Sequence, residues 1–176
     1  MPQLFLVRHG RPAIAVDAPP GTWGLDLAGL PDIDALAASG RLPERASWFS
    51  SPEPKAVETG RRLTSTPVKV VQPLAEQERG VRWFHDAEEF AATVRRAFDR
   101  PQERAVPEWE PLARTRERVV PAVRRILADH EEGDVVLVGH GTAMTLLVSE
   151  LTGSEPDLEA WAALEMPDVW VISRPP

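Results

Sequence analysis

The sequence predicts an α/β fold: a three-layer α/β/α sandwich around a mostly parallel central sheet. Two observations carry that expectation. Short runs of β-branched and aromatic residues alternate with stretches of helical periodicity. The runs Leu4-Phe5-Leu6-Val7 and Val135-Val136-Leu137-Val138 are also apolar at every position, as central strands covered on both faces must be. At 176 residues the chain has the size of one domain. Residues 1–176 are read as one.

Taken in order, Leu4–Val7 is the first predicted strand, followed by a Pro- and Gly-rich surface loop from Arg11 to Pro31. Ile33, Leu36 and Ala37 give a short helical face, stopped by Gly40. Trp48-Phe49-Ser50 is a second strand. Ser51-Pro52 reads as an N-cap with proline at the first helical position. Val68-Lys69-Val70-Val71 is a third strand, placed toward an edge because Lys69 interrupts it. Phe90, Val94, Ala97 and Phe98 mark a helix ended by Pro101, and Pro101 to Pro111 is a second loop. Leu112, Val119, Val120, Val123, Ile126 and Leu127 mark a longer helix, with a kink or a start expected at Pro121. After the strand Val135–Val138, Met144, Leu147, Val148 and Leu151 form a helical face that ends before Gly153. Val169-Trp170-Val171-Ile172 closes the sheet. No internal repeat is visible.

Composition narrows the function. The chain has no cysteine, which removes disulfides, thiolate catalysis and cysteine-ligated metals, and fits a cytoplasmic location. Four apolar residues precede Arg8, too few for an export signal. No apolar run approaches a membrane span, so no membrane partner is expected. A net charge of −7 argues against nucleic acid. A site for an anion must therefore be locally basic.

Two segments meet that requirement. Leu6-Val7-Arg8-His9-Gly10 ends a buried strand in a cation, an imidazole and a glycine. Ligands in α/β sheets bind beyond the carboxyl ends of strands, and glycine lets a backbone amide approach an anion. On its own, such a strand end also fits incidental hydrogen bonding. Val138-Gly139-His140-Gly141 repeats the design and leads into a helix N-terminus, itself an anion site. Packing alone explains two such strand ends poorly.

With these residues the chain resembles the histidine phosphatase superfamily, also called phosphoglycerate mutase-like, and its phosphatase branch. Leu6 to Gly10 looks like the family signature. Ser50-Ser51-Pro52-Glu53-Pro54-Lys55-Ala56-Val57-Glu58-Thr59 resembles its Ser-Ser-Pro-x-x-Arg-Ala-x-x-Thr helix start. Leu74-Ala75-Glu76-Gln77-Glu78-Arg79-Gly80 resembles the segment of its acid/base glutamate, and Val135 to Gly141 the strand with its second histidine. The resemblance implies catalysis by His9, Glu76 and His140. It implies phosphate binding by Arg8, Lys55, Gly10 and Gly141, with neither a metal nor another cofactor. His9 would attack phosphorus, and Arg8, Lys55 and a protonated His140 would hold the phosphoryl oxygens. Glu76 would protonate the leaving oxygen and then deprotonate water. The expected partner is a small phosphorylated substrate, and the sequence leaves the oligomeric state open.

Lys55 departs from the family pattern. It keeps the charge of arginine but loses the planar fork, so weaker phosphate binding or a changed substrate is expected. Glu78 is an alternative to Glu76, since residues two apart in an extended segment share a face. Glu78, Arg79 and Arg82 also read as ordinary surface charge pairs. His85 beside Asp86 lacks metal-ligand spacing. His130 suits a helix C-terminus. Trp23 and Trp83 flank segments placed near the pocket, where an apolar wall is one reading, and Trp161 reads as core; for each one singly the ordinary structural reading is favoured.

Three other functions compete. An α/β-hydrolase elbow needs a serine where Gly141 stands, so that reading fails. A phosphoglycerate-type mutase would carry a longer insertion than the compact stretch Val81 to Asp134, and a serine-asparagine pattern where Arg11-Pro12-Ala13 stands. A non-catalytic phosphate-binding module would bind phosphate without turning it over.

Overall fold

The computed structural model describes residues 1–173; the last three positions of the predicted domain, 174–176, lie outside the described residues. Five strands form one sheet: β1 (Gln3–Arg8), β2 (Ser47–Ser50), β3 (Val68–Val70), β4 (Val135–Gly139) and β5 (Asp168–Ser173). Their order is β3-β2-β4-β1-β5. The first four run parallel, and β5 pairs antiparallel to β1 along one edge. The sheet is thus mostly parallel, as its apolar strands predict, and Lys69 lies on the other edge strand.

The helices are α1 (Leu30–Ala38), α2 (Pro54–Leu63), α3 (Ala87–Asp99), α4 (Leu112–Asp129), α5 (Gly141–Thr152) and α6 (Leu158–Ala162). Strand alternation divides them into layers. Leu4, Leu6, Val135 and Leu137 point toward α4 and α5, where they meet Val123, Met144 and Leu147. Phe5, Val7, Val136 and Val138 point the other way, toward Ile33, Leu36, Ala56 and Leu63 of α1 and α2. All five residues of β4 are buried. Full burial of each such aliphatic side chain contributes about 1.5–3 kcal/mol. A third cluster joins α3 to α5 through Val94, Trp109, Leu112 and Leu146.

Several local expectations are corrected. Ser51 is not an N-cap: α2 begins at Pro54 with Glu53 before it, and Ser51 Oγ accepts the Glu53 amide at 3.2 Å. Helix α4 does not start at Pro121 but runs through it from Leu112 to Asp129. The stretch Arg11 to Pro31 holds two 3₁₀ turns and the first turn of α1, and is pinned by a bridge between Pro12 and Leu25. Pro101 to Pro111 is a loop as expected, but Ala105, Val106 and Trp109 within it are core residues. Helix α6, N-capped by Asp157, was not expected; five residues are too few for a readable period. Gly40 and Gly153 end α1 and α5 in the left-handed region, at φ 72° and 70°.

Candidate active site

Three neighbouring parallel strands end together. Arg8 of β1 is in register with Gly139 of β4, and Ser50 of β2 with Val138. The residues that follow, His9, His140 and Ser51, consequently emerge at one edge of the sheet. His9 N donates to Gly139 O at 3.0 Å, and Ser51 N to Val138 O at 2.9 Å, extending the ladder into the site. The two imidazoles meet there with centroids 5.2 Å apart and planes at 59°. They line a cavity of about 530 Å³ with Arg8, Lys55, Glu76, Glu78 and Gly141.

His9 is buried, and its Nδ1 lies 2.6 Å from Gly10 O. A carbonyl only accepts, so Nδ1 carries the proton and Nε2 keeps its lone pair. Burial, reinforced by His140, Lys55 and Arg8, pushes the His9 pKa well below its ordinary 6.5, although the Gly10 hydrogen bond opposes this. His9 is therefore a neutral ring with a fixed tautomer, the state a nucleophile needs.

Burial lowers the His140 pKa to about 3; Glu76 opposes that shift, while Lys55, Arg79 and Arg8 add to it. It is neutral, not a standing cation, at neutral pH. Its Nε2 lies 2.6 Å from Ser51 Oγ and 3.5 Å from Glu53 Oε1. A phosphoryl dianion arriving between the rings would supply the negative charge that favours protonation.

The two glutamates that spacing left equivalent stand in different surroundings. Glu76 Oε2 accepts the Thr142 amide at 3.0 Å and Oε1 the Ala143 amide at 2.8 Å, so this carboxylate caps α5. The helix N-terminus expected to receive substrate phosphate thus already holds an anion of the protein. Glu78 is exposed, and only its backbone is tied to Glu110. Arg118 braces the segment by donating to Pro73 O at 3.0 Å and to Ala75 O and Glu76 O at 2.6 Å each.

The cations are held in place. Arg8 Nη1 donates to Leu164 O at 2.7 Å, and burial lowers the guanidinium pKa from its ordinary value. Lys55 is buried, not solvated; its Nζ binds Pro20 O at 2.6 Å and forms an ion pair with the buried Glu53 carboxylate. Gly10 does not offer its amide to a ligand, because that N–H donates to Thr59 Oγ1 at 2.9 Å. Its glycine identity instead answers Ile33, whose Cδ1 would lie 2.6 Å from any added Cβ. Gly141 faces the cavity, where a Cβ would meet Trp161 Nε1 at 3.3 Å.

Four residues in the site escaped sequence reasoning. Glu53 sits inside a quoted motif, two residues from Lys55, and that proximity of opposite charges was its only signal. Arg79 is not a surface charge; its guanidinium stacks 4.2 Å from the Trp109 ring and donates to Thr142 Oγ1 at 2.8 Å. Arg118 carried no local signal. Trp161 packs partly buried against the third core cluster, as read, and also lines the cavity, which was not expected. Arg82, by contrast, does make surface pairs, with Glu89 and Glu108.

Comparison with known families is unambiguous. The model of the histidine phosphatase superfamily (branch 1) matches residues 4–172. The chain belongs to that superfamily. A comparison with curated proteins found no match. Among solved structures, a mycobacterial glucosyl-3-phosphoglycerate phosphatase aligns with a TM-score of 0.73 at 20% identity, covering 97% of this chain and 89% of its own. YhfR of Bacillus stearothermophilus gives 0.75 at 22%, with coverages of 98% and 91%. The phosphoserine phosphatase of Entamoeba histolytica gives 0.74 at 16%, with coverages of 97% and 90%. At these identities the likeness establishes a histidine phosphatase fold. Among the described residues no helix is long and apolar enough to cross a membrane.

Proposed function

We propose that the protein is a metal-independent phosphomonoesterase that works through a phosphohistidine at His9. The observation that carries this reading is the tautomer: Nδ1 is committed to Gly10 O, leaving Nε2 as a lone pair beside His140. Nε2 attacks phosphorus while the ester P–O bond breaks, and the electron pair leaves on the alcohol oxygen. Glu76, after taking a proton from solvent, donates it to that oxygen. Water then attacks the phosphorus, Glu76 takes a proton, and the N–P pair returns to Nε2, releasing phosphate. Arg8 and Lys55 face the growing charge on the phosphoryl oxygens, with His140 as a hydrogen-bonding partner. The substrate is a small phosphorylated metabolite, and cytoplasmic residence fits the cysteine-free sequence.

Release of phosphate from p-nitrophenyl phosphate in EDTA tests this, together with its loss in His9→Ala. Binding of phosphate without turnover at any pH would favour a non-catalytic module. Efficient conversion of 3-phosphoglycerate to the 2-isomer would favour a mutase.

A further inference from the structure

A second concavity opens beside the catalytic cavity and shares Pro20, Trp23, Arg79 and Phe90 with it. Its volume is about 330 Å³, within the roughly 300–1,000 Å³ of small-molecule sites. Its walls are aromatic. Trp23 and Trp83 stand with centroids 6.2 Å apart at 51°, and His85 meets Trp83 edge-on at 6.5 Å. Phe84, Phe90 and Trp109 pack edge to face with centroids 5.5–5.9 Å apart.

The annex is built in advance rather than left over. Trp23 Nε1 donates to Ala15 O at 3.0 Å and Ala18 O at 3.1 Å, which fixes its ring. Trp83 is 38% exposed, which leaves part of its side chain free for contact. Most of the polar groups nearby are paired; the exceptions among the described residues are Arg79 Nε, buried without a partner, and His85, whose contact is the Trp83 ring. Arg82 pairs with Glu89 and Glu108, Asp86 caps the Glu88 amide, and Arg79 is tied to Thr142. A polyol would need several convergent donors and acceptors; a planar ring needs only π faces.

We propose that this annex receives the leaving group of the substrate, and that this group carries an aromatic ring. The natural substrates are thus phosphomonoesters of aromatic or heteroaromatic alcohols rather than of simple polyols. This rests on the phosphatase reading only for the direction in which the phosphate lies. Trp83 is the specificity-determining residue, because it closes the annex on its solvent side.

The test is a calorimetric titration of the full chain with naphthylalkyl phosphonates carrying one to three methylenes between ring and phosphorus. Propylphosphonate and 3,4-dihydroxybutylphosphonate serve as ring-free comparisons. At least one naphthyl compound is expected to bind about tenfold tighter than both, the size of one stacking contact. Trp83→Ala should erase that ratio, and Trp83→Phe should keep most of it. Equal affinities, preference for the diol, no binding of any naphthyl compound, or a ratio unchanged in Trp83→Ala would each overturn the inference. Turnover of the matching naphthylalkyl phosphates separates the two readings. Ring preference without turnover removes the phosphatase and keeps the annex, and turnover without ring preference does the reverse.

Discussion

Lys55 is held by Glu53: the two form a buried ion pair inside the cavity that contains both imidazoles. A carboxylate there opposes the binding of another anion and occupies the ammonium that would grip it. Glu53→Gln keeps the shape and removes the charge, so inhibition by inorganic phosphate should strengthen about tenfold. Breaking the pair leaves Lys55 buried, at a cost of about 3 kcal/mol in denaturant unfolding. Weaker phosphate binding in this variant would show that the pair serves the site as it stands.

Glu76 caps α5 and is proposed as the acid/base, and one substitution separates the two roles. Glu76→Gln retains an acceptor for the α5 amides, so stability should fall by only about 1 kcal/mol. Loss of general acid–base catalysis should lower kcat by about 10²–10⁴ for alkyl phosphates. With p-nitrophenyl phosphate the loss should be smaller in the step that forms the phosphoenzyme, because that leaving group needs no proton. An equal loss with both substrates, measured in that step, would assign Glu76 to structure alone.

The buried imidazoles make stability depend on pH. His140 titrates near 3 when folded and near its ordinary 6.5 when unfolded; His9 is shifted the same way. Between those values the unfolded chain binds protons that the folded chain refuses, so stability falls as pH falls. The slope is about 1.4 kcal/mol per pH unit for each such histidine. Urea midpoints measured at pH 7, 6 and 5 should decline accordingly, and His140→Gln should remove one proton from the slope.

Gly10 is close-packed against Ile33. In Gly10→Ala the new methyl would lie 2.6 Å from Ile33 Cδ1 and 2.9 Å from Cγ1. Overpacking of this kind costs about 1–3 kcal/mol. Adding Ile33→Ala removes both clashing carbons, so thermal unfolding of the double variant should show less destabilisation than the sum of the singles.

The legible parts of this protein are those that local pattern dictates. β1 and β4 could be read because burial on both faces forces continuous apolar runs, and His9 and His140 because they stand where those runs stop. Val68–Val70 was readable as an edge strand from one lysine. Other features depend on what the chain meets after folding. The pairing of Glu53 with Lys55 shows only in the folded chain, where Pro20 O also accepts from Lys55 Nζ. Arg79 looks exposed until Trp109, in a segment read as loop, comes beneath it. Spacing could not separate Glu76 from Glu78, because the distinction lies in the Thr142 and Ala143 amides, more than sixty residues away.

The most direct test of the account is the identity of the atom that carries phosphate during turnover. Enzyme quenched in base after mixing with a phosphomonoester, then digested and analysed by mass spectrometry, should carry an acid-labile phosphoryl group on His9, attached through Nε2. With p-nitrophenyl phosphate the label should accumulate further in Glu76→Gln, and it should be absent from His9→Ala. Turnover that persists in His9→Ala, or a phosphoryl group found on any other residue, would contradict it.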